Sequence, residues 1–452
     1  MVDPAVADLS SLDRDVRRAF VALEALRQNL AADPSAARDT DPFDDVRHVA
    51  GKSTWDALGE LSPSVADVPL RDGLRRWVAA FVQARVGLGA DKAWAAEASA
   101  LRGRFAGDPP RSVSWREAWR GVASSRSAAE ARLWLEAGAQ AGPAIATTAT
   151  TRAIRRMEVA RRMGLGHPWD ELASGSRDAL RGAALRLLRA TDDLSVAARK
   201  ETQEGEDAAS AFFAAGARGA SSGWPARLTP EWLRDAFRGE PRDASPRLAA
   251  LPRPAGAASF ARALHQFGFA VRLALAPASL PFALARDPAF VAAHRFAWLF
   301  GALPTDPEFY VRVLGLGRSS AHAQARILAG TALFEARAHA VRLLLGDDAA
   351  FAPADLYPEL TVRLFGSPLD ERLRGAWPPP RDDEPARFVA MLQTVAFRRQ
   401  LRDRFDIDWF HNPRAWAYLR EQSGGVARET VEPSTLAPST DALARELEEA
   451  LG

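Results

Sequence analysis

"ARALHQFGFAVR", residues 261–272, is the stretch on which the reading of this chain turns. Phe260, Leu264, Phe267 and Val271 recur at three- and four-residue spacing, the period of one face of an α-helix. Gly268 and Ala270 keep that helix slim, so a partner helix can approach closely. His265 is a lone polar ring in this stripe, with Gln266 after it and Phe269 four residues on. The next strong apolar segment, "HRFAWLF", starts at a second histidine, His294. Phe290, Ala297 and Phe300 give it a face to set against the first. Two helices, near 258–276 and 287–300, are therefore expected to pack together at the centre of the fold.

The rest of the chain reads almost wholly helical. Val16, Phe20, Leu23 and Leu26 form a stripe in 12–32, and Leu74, Trp77, Phe81 and Val82 form one in 70–88. Helical spacing continues through 114–140 and 149–166, the latter ending at a glycine. Clear alternating strands are missing, with short ones conceivable only near 248–251 or in 219–228. Loops are expected at 31–45, 216–230 and 238–259, a stiff proline-rich connector at 376–385, and a loose tail from 424 to 440 before a short terminal helix. The expected class is all-α, with little or no β-structure, in two helical lobes. The lobes are 1–224 and 225–423, followed by a tail, 424–452.

Composition narrows the function. The 452 residues carry a net charge of only +2, and acidic residues are interspersed with the arginines, so no nucleic-acid partner is expected. There is no cysteine, which excludes disulfides, thiolate metal sites and a cysteine nucleophile. The most apolar window, 267–285, is interrupted by Arg272, Pro277 and Pro281, so no membrane span is expected. The first residues lack the pattern of a signal peptide, and a cytoplasmic location is the expectation.

The chemistry of 261–272 follows from its neighbours in type. In the zinc-peptidase helix HExxH, two histidines four apart reach one metal, and the glutamate after the first takes a proton from the metal-bound water. Here His265 stands at the first position, Gln266 at the base and Phe269 at the second ligand. Glutamine can hydrogen-bond a water but cannot accept its proton, and phenylalanine cannot bind metal. With "HRFAWLF" as the following helix and "RFVAMLQTVAFRRQLRDRFDIDWFHNPRAWAYLRE" (387–421) behind it, the segment 224–421 resembles the thimet oligopeptidase and oligoendopeptidase F family of zinc peptidases.

That resemblance implies a helical two-lobed fold with a peptide groove. It places His294 where the family has a glutamate ligand, with Phe296, Ala297, Leu299 and Phe300 keeping the frame, and Phe388 about where a tyrosine is expected. On this reading the groove is lined by His265, Gln266, Phe269, His294 and Phe388. Gln266 is the vestigial base, and His265, Phe269 and His294 are vestigial metal positions. No catalytic residue is intact, and no cofactor is expected. A residual zinc site would need a third ligand from His322, His339 or His411. The family's oxyanion tyrosine has no clear counterpart in Tyr310, Tyr357 or Tyr418.

Other motifs carry less. "GASSG" (219–223) around Ser221 lacks the strand of a nucleophile elbow, and "GLGRSS" (315–320) lacks that of a phosphate loop. Arg152, Arg155, Arg156, Arg161 and Arg162 read as a solvated or salt-bridged helix face. The leading expectation is a catalytically inactive peptidase-like protein that binds a peptide or protein partner in its groove. The alternatives are a structural or interaction protein with a filled groove, or a residual metal-dependent peptidase. Whether the groove is open decides between the first two.

Overall fold

The computed structural model describes residues 8–35, 39–61, 67–125, 127–170, 177–200, 223–225, 228–237, 257–346, 355–379, 381–424 and 433–452. Its helices are α1 (Leu9–Ala32), α2 (Lys52–Glu60), α3 (Val68–Ser99), α4 (Trp115–Ser124), α5 (Ala128–Arg162), α6 (Arg177–Ala190), α7 (Asp192–Lys200), α8 (Pro230–Ala236), α9 (Ala257–Leu275), α10 (Phe282–Ala285), α11 (Val291–Gly301), α12 (Pro307–Leu314), α13 (Arg318–Gly346), α14 (Leu356–Phe365), α15 (Glu384–Phe405), α16 (Pro413–Ser423) and α17 (Pro433–Leu451). The architecture is all-α, as the periodicity indicates. The described residues add one small hairpin, β1 (Gly103–Phe105) paired antiparallel with β2 (Arg111–Val113). Strands of three residues are too short to show an alternating pattern, so this hairpin was not legible. The places suggested for strands, 248–251 and most of 219–228, lie outside the described residues, as does Ser221.

Helix boundaries follow local chemistry. Ser114 and Glu117 form a reciprocal capping box at the start of α4. The expected helix 114–140 is split, because the Ser127 side chain accepts from the N–H of Glu130 and starts α5 afresh. From there α5 runs through Pro143 and joins what read as a separate helix at 149–166. At the other end, the terminal helix begins at Pro433, well before the expected start at 441. Leu436, Leu443 and Leu447 share one buried stripe, which continues the amphipathic pattern upstream of the residues that looked helical. Residues 425–432 of the expected loose tail are outside the described residues.

The core is aromatic around α9 and α11, which pack directly against each other. Phe260, Leu264, Phe267 and Val271 are all buried, as are Ala297 and Phe300. The rings of Phe267 and Phe300 meet edge to face at 5.4 Å. Trp224, Phe237, Tyr310, Trp409 and Trp416 complete this cluster. Two further clusters join residues from either side of 224: Trp77 lies 5.1 Å from Phe282, and the Asp13 carboxylate accepts from the backbone N–H groups of Phe282 and Ala283 at 2.8 Å each. On the arginine-rich face of α5, Arg152 and Arg156 both pair with Asp382, and Arg152 also pairs with Asp91. Among the described residues no helix is long and apolar enough to cross a membrane.

Candidate functional site

A cavity of about 1160 Å³ opens beside α9 and α11, where the sequence places the groove. Its wall includes His265, Gln266, Phe269 and Ala270 from α9 and His294 and Trp298 from α11. α13 contributes Glu335, His339 and Arg342, the segment entering α15 contributes Arg381, and α15 itself contributes Arg387. Glu24 of α1 and Glu446 of α17 stand at its rim. The spacing of α9 explains the arrangement. Leu264, Phe267 and Val271 turn into the core, which leaves His265, Gln266 and Phe269 on the opposite face.

His265, Gln266, Phe269 and His294 are thus brought together. Phe388 is not among them: it is fully buried in the core cluster of α13, α14 and α15 and does not line the cavity. Seen on the helix, the reason is simple. Arg387 and Met391 take the cavity side of α15, and Phe388 is rotated away from it. None of Tyr310, Tyr357 and Tyr418 lines the cavity either.

His265 and His294 are both held as neutral rings. His265 stacks edge-on against Trp298 with centroids 5.1 Å apart, and burial, assisted by the nearby Arg387, pushes it well below the ordinary histidine range. His294 Nε2 lies 3.3 Å from Asp383 Oδ2, and its Nδ1 is buried without a hydrogen bond. Burial lowers His294 as well, and the Asp383 hydrogen bond only partly opposes it. The Phe269 ring lies 5.1 Å from the His294 ring, filling the space where a second ligand would reach. His294 is therefore tied to a carboxylate, and Phe269 packs on its face. Among the described residues, no three His, Asp or Glu side chains converge in a way that could hold a metal ion. The residues at this place do not fit the family's zinc site.

A second polar group surrounds His339, which the sequence offered only as a candidate third ligand; its neighbours Glu335 and Glu384 were missed by sequence reasoning. His339 Nδ1 is hydrogen-bonded to Glu384 Oε1, and Trp298 stands between His265 and His339, 5.2 Å from the latter. Burial alone would raise Glu384, but the His339 bond and the charges of Arg342 and Arg381 bring it down to about 2. Glu335 is likewise held at about 2, with Arg262 and Arg342 outweighing burial. The signal for Glu335 and His339 was their spacing of one helical turn in "FEARAH". Glu384 and Arg381 sit in a stretch that reads as a proline-rich connector, which hid them.

Four of the six arginines on the wall have a carboxylate of their own. Arg262 bonds Glu335 at 3.2 Å, Arg387 bonds Asp383 at 2.8 Å, Arg398 bonds Glu446 at 3.0 Å and Arg402 bonds Asp306 at 2.6 Å.

These ionisations predict a pH profile. His265 and His294 take up protons more readily in the unfolded chain, so stability falls as pH drops below about 6.5. Glu335 and Glu384 do the same between their ordinary range and about 2, and add a steeper loss there. Each histidine should contribute up to roughly 1.4 kcal/mol per pH unit. Urea midpoints at pH 7.5, 6.5 and 5.5 measure this. A flat profile from 7.5 to 5.5, or an unchanged slope in the His265→Gln, His294→Gln double variant, would contradict it.

No family model matches the sequence, and no curated protein matches it. Among solved structures, the chain is similar to the crystal structure of a candidate oligoendopeptidase F from Bacillus anthracis strain Ames. The TM-score is 0.56 with 11% identity, over 90% of this chain and 84% of that one. At that identity the likeness is one of fold: this chain is built on an oligoendopeptidase F-like helical fold.

Proposed function

We propose that the chain is a catalytically inactive, peptidase-like protein that binds a peptide, or an extended segment of a partner protein, in this cavity. The observation that carries the reading is an open cavity of about 1160 Å³ whose wall still presents His265 and His294 but no competent base or second ligand. A space of that size exceeds the usual small-molecule pocket and suits a peptide. Gln266 cannot take a proton from water, Phe269 offers no lone pair, and His294 is committed to Asp383. No resident zinc is expected, and no lining tyrosine is present to hold an oxyanion. The open cavity favours this reading over a filled groove.

Random pentapeptides, the purified chain and three readouts test it. Fluorescence anisotropy should show saturable binding, mass spectrometry should show no cleavage above background, and elemental analysis should show far less than one zinc per chain. Stoichiometric zinc that disappears in His265→Ala, or cleavage stopped by a chelator, would restore the peptidase. Absence of any peptide binding would favour a structural role.

A further inference from the structure

We propose that Arg342 and Arg381 form an anion subsite of the cavity that captures a carboxylate of the bound peptide. The proposal rests on the peptide-binding reading and adds the ligand's chemistry. Of the six arginines on the wall, these two have no carboxylate hydrogen-bonded to them among the described residues. Arg342, one turn beyond His339 on α13, has its Nε buried without a hydrogen bond and acts on Glu335 and Glu384 through its charge. Arg381 Nη1 lies 3.9 Å from Glu384 Oε2, outside hydrogen-bonding distance. Glu384 already gives its other oxygen to His339. Arg342 and Arg381 share the field of Glu384, while Glu335 and Asp383, the other acids nearby, are already bonded to Arg262 and Arg387; four guanidinium groups thus face three carboxylates, and the surplus is positive.

Positive charge left on a cavity wall is an attraction for an anion, and guanidinium groups match a carboxylate with paired N–H donors. In a peptide, that group is either the C-terminus or an acidic side chain. Arg342 comes from α13 and Arg381 from the segment entering α15, so a carboxylate seated here would bridge two elements of the wall. The other arginines are neutralised in place and do not compete for it.

The test uses pentapeptides of uncharged residues carrying a neutral N-terminal dye, in three forms: free C-terminal acid, C-terminal amide, and amide with one internal glutamate. Binding is read by anisotropy at low salt, with the parent chain, R342Q and R381Q. The free acid or the glutamate form should bind about ten- to a hundredfold tighter than the plain amide. Tight binding of the acid alone assigns the C-terminus, and tight binding of the glutamate form assigns a side chain. R342Q and R381Q should each shrink the preference while the plain amide binds as before. R381Q alters an exposed residue and should fold normally, so it carries the test if R342Q does not fold. Equal binding of all three forms would overturn the subsite and leave peptide binding standing. A preference that survives in both variants would overturn it too. Failure of every form to bind would overturn both the subsite and the peptide-binding reading.

Discussion

Gly268→Ala should destabilise the chain by about 2–3 kcal/mol, although alanine is the better helix former. A Cβ at Gly268 would lie 2.3 Å from the Phe296 carbonyl oxygen and 2.9 Å from both the carbonyl carbon and Phe300 Cβ. These are mostly backbone atoms of α11, so no rotamer change relieves the clash, and the two central helices must move apart. The propensity gain of about 1 kcal/mol is too small to offset that. Gly330→Ala is the internal control. It lies in the middle of α13 with nothing within 4 Å of the added Cβ, and should stabilise by up to about 1 kcal/mol. Opposite shifts in urea midpoint are expected. If Gly268→Ala raises stability as Gly330→Ala does, the close α9–α11 approach is not what fixes the cavity wall.

Rebuilding the family's ligand set tests ancestry. On sequence alone, Gln266→Glu, Phe269→His and His294→Glu suffice. The structure adds Asp383, because its carboxylate lies 3.3 Å from His294 Nε2 and would oppose a glutamate put there. Without metal, the three changes should lower stability by on the order of 4 kcal/mol, from lost packing of Phe269 and from the paired carboxylates. Adding Asp383→Asn removes the repulsion. In that fourfold variant, zinc at a hundredfold over its dissociation constant should restore about 2.7 kcal/mol. The melting temperature should rise with zinc in the fourfold variant, rise less in the threefold one, and stay unchanged in the parent. Peptide cleavage should stay near background, because no tyrosine lines the cavity. A folded fourfold variant that ignores zinc would mean that α9 and α11 never framed a metal site.

Much of the centre of this molecule was legible in one dimension. The period of Phe260, Leu264, Phe267 and Val271 fixes which face of α9 is buried, and with it the face that carries His265, Gln266 and Phe269. The small residue at 268 marks the close approach to α11, and the ordered likeness from 224 to 421 points to the fold that the structural comparison supports. These features are local: each depends on residues within one or two helical turns. Phe388 shows the limit of that reasoning. A one-residue rotation on α15, about 100° around the helix axis, separates the cavity side of Arg387 from the buried side of Phe388.

Most of the charge arrangement belonged to the tertiary structure. Nothing near His294 in sequence reveals Asp383, and nothing near His339 reveals Glu384. Both pairs form because α11 and α13 pack on α15, whose N-terminal end carries the two acids. The same holds for Arg342 and Arg381, which differ from the other arginines on the wall in having no acid within hydrogen-bonding distance among the described residues. An apolar stripe is written into the sequence because burial needs only the right side chains at the right period. Whether a charge is matched depends on which distant chain segment arrives beside it, and that is decided only when the helices pack.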